Sequence, residues 1–247
     1  MLPNRVRGVL RKAAPQLFDR KELALRRHNT AFFAPLVPRN GLAFDVGAHL
    51  GAYTSLFLRL GARVVAVEPN PALAEDLRKR FRGQPVVVEE IAVGDAPGTA
   101  TLRIGSDNSM STISPEWAAR SSRWVEDVDV PVTTLEGLIE RHGEPDFLKV
   151  DVEGNDLRAL QGLRRAPPAL SFEFQARLPR ADTRRCLELV SALGDFSFNL
   201  TVEEIARWWP IHLRFEDWVG AEEVLETIDR LRAEKATTWG NVYARRF

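Results

Sequence analysis

The sequence predicts an α/β fold with a mainly parallel sheet and helices on both faces. Three observations carry that expectation. Short apolar runs recur along the chain, at Leu42–Val46, Arg63–Val67, Val86–Val93, Asp146–Val150 and Ala169–Phe174. Stretches with helix-start signals stand between them, and such alternation builds parallel strands joined by crossover helices. The chain has 247 residues, 45% of them hydrophobic, enough for one large core with additions.

Taken in order, residues 1–39 read as one or two helices, broken at Pro15 and closed by Pro35 and Pro38. Leu42–Val46 reads as a buried strand and Ala52–Leu60 as the helix after it. Arg63–Val67 is the second strand, and Pro71 opens a helix to about Phe81. Val86–Val93 reads as a third strand, turning at Gly94–Gly98 into a hairpin partner over Thr99–Ile104. Gly105–Ser114 is polar and short-sided, a loop placed to wall a site. Val128–Val132 contains Pro131 and reads as an edge strand. Thr133 and Glu136 have capping-box spacing for a helix ending at His142. Asp146–Val150 is a strand, followed by a helix from about Asn155 to Leu163. Ala169–Phe174 is the fifth core strand, and Asp182–Leu193 the helix after it. Phe196–Leu200 and Thr238–Phe247 close the sheet. Between them Thr201–Lys235 reads as mostly helical and carries Trp208, Trp209, His212, Phe215 and Trp218.

Lys+Arg and Asp+Glu both count 34, so net charge makes no general case for nucleic acid. Residues 1–40 nevertheless hold nine basic residues against Asp19 and Glu22, a net of +7, which leaves −7 for the remainder. That basic arm reads first as a solvated helix face, and second as a surface for an acidic partner. It has no continuous apolar region of the kind a signal peptide needs. No apolar run approaches the roughly 20 residues of a membrane span. The single cysteine, Cys186, has no partner for an internal disulfide and reads as a small core residue. These features fit a cytoplasmic protein. The expected organisation is a basic helical arm over 1–40 and one domain over 41–247, with a Trp-rich helical insertion at about 201–235.

The chemistry gathers around Gly41–Tyr53, where a strand runs through Gly47 and Gly51 into a helix. Such a turn brings backbone N–H groups and a helix N-terminus to a ligand. Glu68 follows at the end of the second strand, placed to accept hydrogen bonds from ribose hydroxyls. The glycine spacing is not that of the dinucleotide fingerprint. Three motifs occur in order: Asp45-Val46-Gly47-Ala48-His49-Leu50-Gly51, Val67-Glu68-Pro69-Asn70-Pro71 and Leu148-Lys149-Val150-Asp151-Val152-Glu153-Gly154, with Thr133-Thr134-Leu135 upstream of the last. Over residues 41–175 the set resembles the FkbM-type family of S-adenosylmethionine (SAM)-dependent methyltransferases. The resemblance implies a Rossmann-like class I methyltransferase fold, a seven-stranded sheet with one antiparallel strand, here the C-terminal one. It also implies SAM as cofactor and O-methylation of a sugar or natural-product hydroxyl. His49 and Asp156 depart from the family's usual Asn and Glu.

On this reading the cofactor side comprises Asp45, Gly47, Ala48, Gly51, Glu68, Asn70 and Ala92. Asp45 holds the amino end, directly or through water, Glu68 takes the ribose, and Ala92 edges the adenine. Asp151 and Glu153 emerge from the carboxyl end of a central strand, where ligands sit in open α/β sheets. Two residues apart in extended chain, they point the same way, placed to share a substrate proton or a divalent cation. Glu153 equally reads as the start of the next helix. Glu173 is a polar residue in an apolar strand end, and His49 is a base near neutral pH or a structural loop residue. No cluster has metal-ligand spacing. The acceptor is a small or carbohydrate-like molecule, not nucleic acid. N-methylation and a non-catalytic SAM-binding scaffold are the alternatives, and a homo-oligomer is left open.

Overall fold

The computed structural model describes residues 15–106, 111–119, 124–176, 178–202, 211–235 and 237–246. In chain order the elements are α1 (Pro15–Phe33), β1 (Leu42–Val46), α2 (Ala52–Leu60), β2 (Arg63–Val67), α3 (Pro71–Arg80), β3 (Val86–Glu89), β4 (Ala92–Val93), β5 (Gly98–Gly105), β6 (Ser111–Thr112), α4 (Pro115–Ala118), β7 (Trp124–Thr133), α5 (Leu135–His142), β8 (Phe147–Val150), α6 (Asp156–Gln161), β9 (Ala169–Gln175), α7 (Arg180–Ala192), β10 (Phe196–Val202), α8 (Ala221–Glu234) and β11 (Trp239–Arg246). The central sheet has seven strands in the order β10-β11-β9-β8-β1-β2-β3. All its pairings are parallel except the two made by β11, which runs antiparallel to both β9 and β10. The chain therefore has the expected sheet, with the expected strand reversed.

Strands buried on both faces read as continuous apolar runs, as β1, β2, β8 and β9 do. One face carries Phe44, Val46, Val65, Leu148, Val150 and Phe172 under α5, α6, α7 and α8. Cys186 packs there as a small core residue. The other carries Ala43, Val64, Phe147, Ala169 and Tyr243 under α1 and α2. Phe33 of α1 is fully buried and meets Tyr53, Phe57, Phe147 and Tyr243 at ring-centroid distances of 5.5–6.0 Å. Two contacts staple α1 to a distant segment: His28 Nε2 lies 2.7 Å from the Ile211 carbonyl, and Asn29 Oδ1 accepts from the Ile211 N–H at 3.0 Å. The C-terminal half of the predicted arm is thus core. Its residues 1–14 lie outside the described residues, as do Trp208 and Trp209.

Four local expectations are corrected. The third strand is two strands: β3 stays in the main sheet, while β4 pairs with β7 in a second sheet of order β4-β7-β5-β6. The break falls at Glu90-Ile91, where Glu90 turns out to Arg78 at 2.7 Å. β7 is an internal strand ten residues long, not an edge. β4 covers only its last two residues, so Pro131 meets no strand on that side. The cap of α5 is Thr134, whose hydroxyl accepts from the Gly137 N–H at 3.0 Å. Glu136 instead accepts from the Arg164 N–H and pairs with Arg165. In the 201–235 stretch the described helix is α8 alone, and residues 211–220 are irregular.

If α1 belongs to the core, Phe33→Ala is expected to cost about 3–5 kcal/mol, as for other buried aromatic truncations. Urea unfolding followed by circular dichroism measures it, and a loss under about 1 kcal/mol would mean that α1 is only laid against the domain.

Candidate active site

The carboxyl ends of β1, β2, β8 and β9 lie side by side, and the loops that follow them meet there. In the turn after β1, the N–H groups of Gly47 and Ala48 both donate to the Val67 carbonyl, at 2.9 and 3.0 Å. The His49 N–H donates to Glu68 Oε2 at 2.8 Å, and the Asn70 N–H to Glu68 Oε1 at 2.9 Å. These donors hold the protein together, so the expectation that the turn points its N–H groups at a ligand is corrected for Gly47, Ala48 and His49. The glycines also serve the chain first. A Cβ on Gly47, at φ 78°, would stand 1.8 Å from the Asp151 carbonyl oxygen. A Cβ on Gly51, at φ 71°, would stand 2.6 Å from the Phe81 ring. Ala48 is buried against Ala66, Leu77 and Phe81.

Above this turn is a cavity. Its lining includes Gly47, His49, Glu68, Asp151 and Glu153, with Leu73, Ile91, Ala92, Val93, Leu102 and Ile113 forming an apolar slot. His49 and Glu153 are both non-glycine residues in the left-handed region, at φ 49° and 51°. Such strain clusters at functional sites, and these two line the cavity, while Asn40, at φ 64°, does not. Ser111 and Thr112, from the polar loop, form part of the wall. The Thr112 hydroxyl donates to the Glu153 carbonyl at 2.9 Å, and Ser111 Oγ is enclosed without a hydrogen-bond partner among the described residues. Asn70 caps α3 through Oδ1, while its buried Nδ2 likewise has no partner. Burial raises the Glu68 carboxyl above its usual range, against the two N–H groups it accepts.

Asp45 does not line the cavity. It is fully buried, and its Oδ2 accepts from both the N–H and the hydroxyl of Thr54, at 2.8 and 2.6 Å. Its other oxygen faces Lys149 Nζ at 3.6 Å. Lys149, 2% exposed, reaches Asp151 Oδ2 at 3.2 Å and lies 4.9 Å from the centroid of the Tyr53 ring. Burial alone would push the lysine down, but Asp151 and Asp45 outweigh it and its pKa is raised. Burial pushes Asp45 up as well. We take the pair as ionised, because both Thr54 donors are satisfied by a carboxylate oxygen and the ammonium lies between two acids. Asp151 is the outermost of the three, with its side chain 31% exposed and lining the cavity.

On the neighbouring strand, Glu173 Oε2 accepts from Gln175 Nε2 at 2.6 Å. Asp156 Oδ1 accepts from the Glu173 N–H at 3.4 Å. Burial, then the charges of Asp151, Glu153 and Asp156, hold the Glu173 carboxyl well above its usual range. By surface area Glu173 is only partly buried, yet enough protein surrounds it for desolvation to lead. Asp156 is raised to about 7, by burial and then by Asp151. No group of three or more His, Cys, Asp or Glu residues is arranged for a metal among the described residues.

Ser111 and Thr112 belong to the polar loop that the sequence placed as a site wall, whereas Lys149 was missed as a site residue. Lys149 was visible as a lysine inside the apolar run Phe147–Val150, since a buried ammonium needs partners. Trp218, from the Trp-rich stretch, stacks under the Arg245 guanidinium at 4.3 Å. Arg245 pairs with Ala169 at the start of β9, at the far end of the sheet from the cavity.

Asp156 gives a pH prediction. Its folded pKa, about 7, exceeds the unfolded 3.8, so the native state holds a proton that the unfolded chain gives up first. Its contribution is therefore full below pH 4 and is lost as pH rises towards 7. Relative to Asp156→Asn, the wild type should lose about 2–4 kcal/mol between pH 4 and 7, at about 1.4 kcal/mol per unit. Parallel denaturation curves for the two proteins with a constant difference would overturn this.

A family model described as Methyltransferase FkbM domain matches residues 45–196. The hexuronic acid methyltransferase AglP of Haloferax volcanii is 29% identical over 157 residues, which cover 58% of this chain and 60% of that protein. The match thus spans less than two thirds of this curated relative. Among solved structures, a putative RNA methyltransferase from Pyrococcus horikoshii aligns over 90% of this chain and 80% of that one, at 12% identity and a TM-score of 0.45. A SAM-dependent O-methyltransferase from Thermotoga maritima aligns over 88% and 64%, at 11% identity and a TM-score of 0.40.

Proposed function

The chain belongs to the FkbM methyltransferase family, and from that premise we propose that it methylates a hydroxyl of a sugar-like acceptor, using S-adenosylmethionine. The observation that carries this reading is one cavity holding two kinds of carboxylate: Glu68 on the β2 side, and Asp151, backed by Lys149, on the β8 side. The similarity to a hexuronic acid methyltransferase supports a sugar as acceptor.

The residues present fit the cofactor. Glu68 would accept the ribose hydroxyls with the lone pairs that His49 and Asn70 leave over. Ile91, Ala92, Val93, Leu102 and Ile113 would enclose the adenine, and the unpartnered Ser111 Oγ supplies a polar contact within that slot. Asp45 acts one layer down: it fixes Thr54 at the start of α2 and anchors Lys149. When bound, the cofactor supplies an electrophilic methyl group, so the protein's task is to bind, orient and exclude water.

Asp151 is the residue placed to take the proton of the attacking hydroxyl, or to align it, with Lys149 holding its carboxylate in place. Glu153 and His49 border the same space, and their strained backbones fix where their side chains start. Glu173 stands beside Asp151 on the next strand, its carboxyl held well above the usual range by burial and then by Asp151.

Two measurements test the reading. Glu68→Ala should lower SAM affinity by at least about tenfold in calorimetry, because charge-assisted hydrogen bonds contribute roughly 1.5–3 kcal/mol; unchanged affinity in a folded variant refutes the ribose role. Asp151→Asn should reduce kcat by about 10²-fold with SAM affinity nearly intact. Near-wild-type turnover across a pH series removes Asp151 from the mechanism.

A further inference from the structure

The loop after β8 has a backbone that local preference alone does not favour. Glu153 takes φ 51° and Gly154 φ 84°, two left-handed residues in succession, and the first carries a side chain. Such a residue persists only where its surroundings over-determine it. Three contacts from the second sheet and its flank do so. The Thr112 hydroxyl donates to the Glu153 carbonyl at 2.9 Å. The Asn155 side-chain amide donates to the Val93 carbonyl at 2.9 Å. Trp117 closes a third side, for a Cβ on Gly154 would stand 3.0 Å from the Trp117 Cβ.

Both hydrogen bonds join distant parts of the chain, 41 and 62 positions apart, and Thr112 and Asn155 are both buried. The Thr112 hydroxyl is used twice, since it also accepts from the Ser114 N–H at 2.9 Å. Its single proton goes to Glu153, so the hydroxyl serves the protein fold and not a ligand. The partners of these bonds connect two parts of the site. Val93 and Thr112 belong to β4 and β6 of the second sheet, and both line the cavity beside Leu102 and Ile113. Asp151 and Glu153 line the same cavity from the loop after β8. The loop's other anchor is on β1, where the Asp151 N–H donates to the Val46 carbonyl at 3.1 Å. The wall of the apolar slot and the loop that carries the carboxylates are therefore one joined structure.

We propose that Thr112 and Asn155 are positioning residues for methyl transfer: they tie the loop after β8 to the strands that wall the apolar slot, and so set where Asp151 and Glu153 stand relative to the bound cofactor. This rests on the sugar-methyltransferase reading above. Thr112 and Asn155 act through the main chain of the loop, and Asp151 remains the group that faces the reacting hydroxyl. Loosening the tie then costs rate more than cofactor affinity, because a misplacement of about 1 Å at a reacting group lowers turnover by up to about 10²-fold.

The test uses the full chain with SAM, labelled in the methyl group, and a panel of methyl hexopyranosides and the matching hexuronates. Thr112→Val removes the hydroxyl and keeps a branched side chain. It should lower kcat about tenfold or more, with SAM affinity in calorimetry held within about threefold. Thr112→Ser, which keeps the hydroxyl, should bring kcat back to within about threefold of wild type. Added to Asp151→Asn, Thr112→Val should cost less than about threefold more, because residues that act as a unit are not additive. Asn155→Ser removes the bond to Val93 and leaves a residue suited to the start of α6. It should reproduce the loss of kcat, and it carries the test if Thr112→Val does not fold. Amide hydrogen exchange reads the tie without an acceptor: in either variant, exchange across residues 152–155 should rise about tenfold or more while β1 and β8 keep their protection. Equal losses of kcat and SAM affinity, no rescue by serine, or unchanged exchange in the loop overturns the positioning role and leaves the methyltransferase reading intact. SAM bound with no turnover of any of these sugars by the wild type overturns the sugar reading instead, and the exchange measurement then decides whether the loop is tied as proposed.

Discussion

The site depends on one buried cation. Lys149 sits in the middle of the sheet, nearly inaccessible, between the carboxylates of Asp45 and Asp151 and against the Tyr53 ring. Breaking a buried ion pair by removing one partner strands the other charge and typically costs several kcal/mol. That makes the arrangement hard to change one residue at a time. Through Asp45 the lysine is tied to Thr54 and the first turn of α2; through Asp151 it reaches the cavity. The loop after β1 and the loop after β8 are therefore set by the same charge.

The backbone of those loops is constrained just as tightly. Gly47 lacks a side chain because the Asp151 carbonyl occupies the place where a Cβ would go. Glu68 gathers two backbone donors, one from each side of the turn. The consequence is a site whose walls are fixed before any ligand arrives. Preorganisation of this kind removes ordering costs at binding. What the walls leave unsatisfied, Ser111 Oγ in the slot, marks where a ligand's polar atoms have something to gain.

Much of this was legible in the sequence, and the failures have physical reasons. The strand–helix alternation and the reversed C-terminal strand appear as expected because apolar runs and start signals are local properties. The break at Glu90 was not legible, because the residues after it pair with β7, some forty positions away. Thr133 and Thr134 compete for one cap, and only the path of β7 decides between them. Glu68, Asp151 and Glu153 line the cavity because acids at strand ends follow the chain's own geometry. The part played by Asp45 was misjudged, since its distance from the cavity depends on Lys149, contributed by another strand.

The placement of β11 has a consequence for how the molecule assembles. β10 has no neighbour in the sheet other than β11, which is inserted between it and β9. The main-chain groups of β10 that bond within the sheet must therefore wait until the chain has passed through 203–238 and β11 has docked. Closing such a loop precedes any reward from the contacts it makes. Until then β9 ends the sheet as an open edge carrying the apolar Phe172 and Phe174, the kind of surface that captures other chains. The last strands to join are thus the ones that seal the sheet, so the vulnerable moment of folding falls late, on the side that carries Glu173.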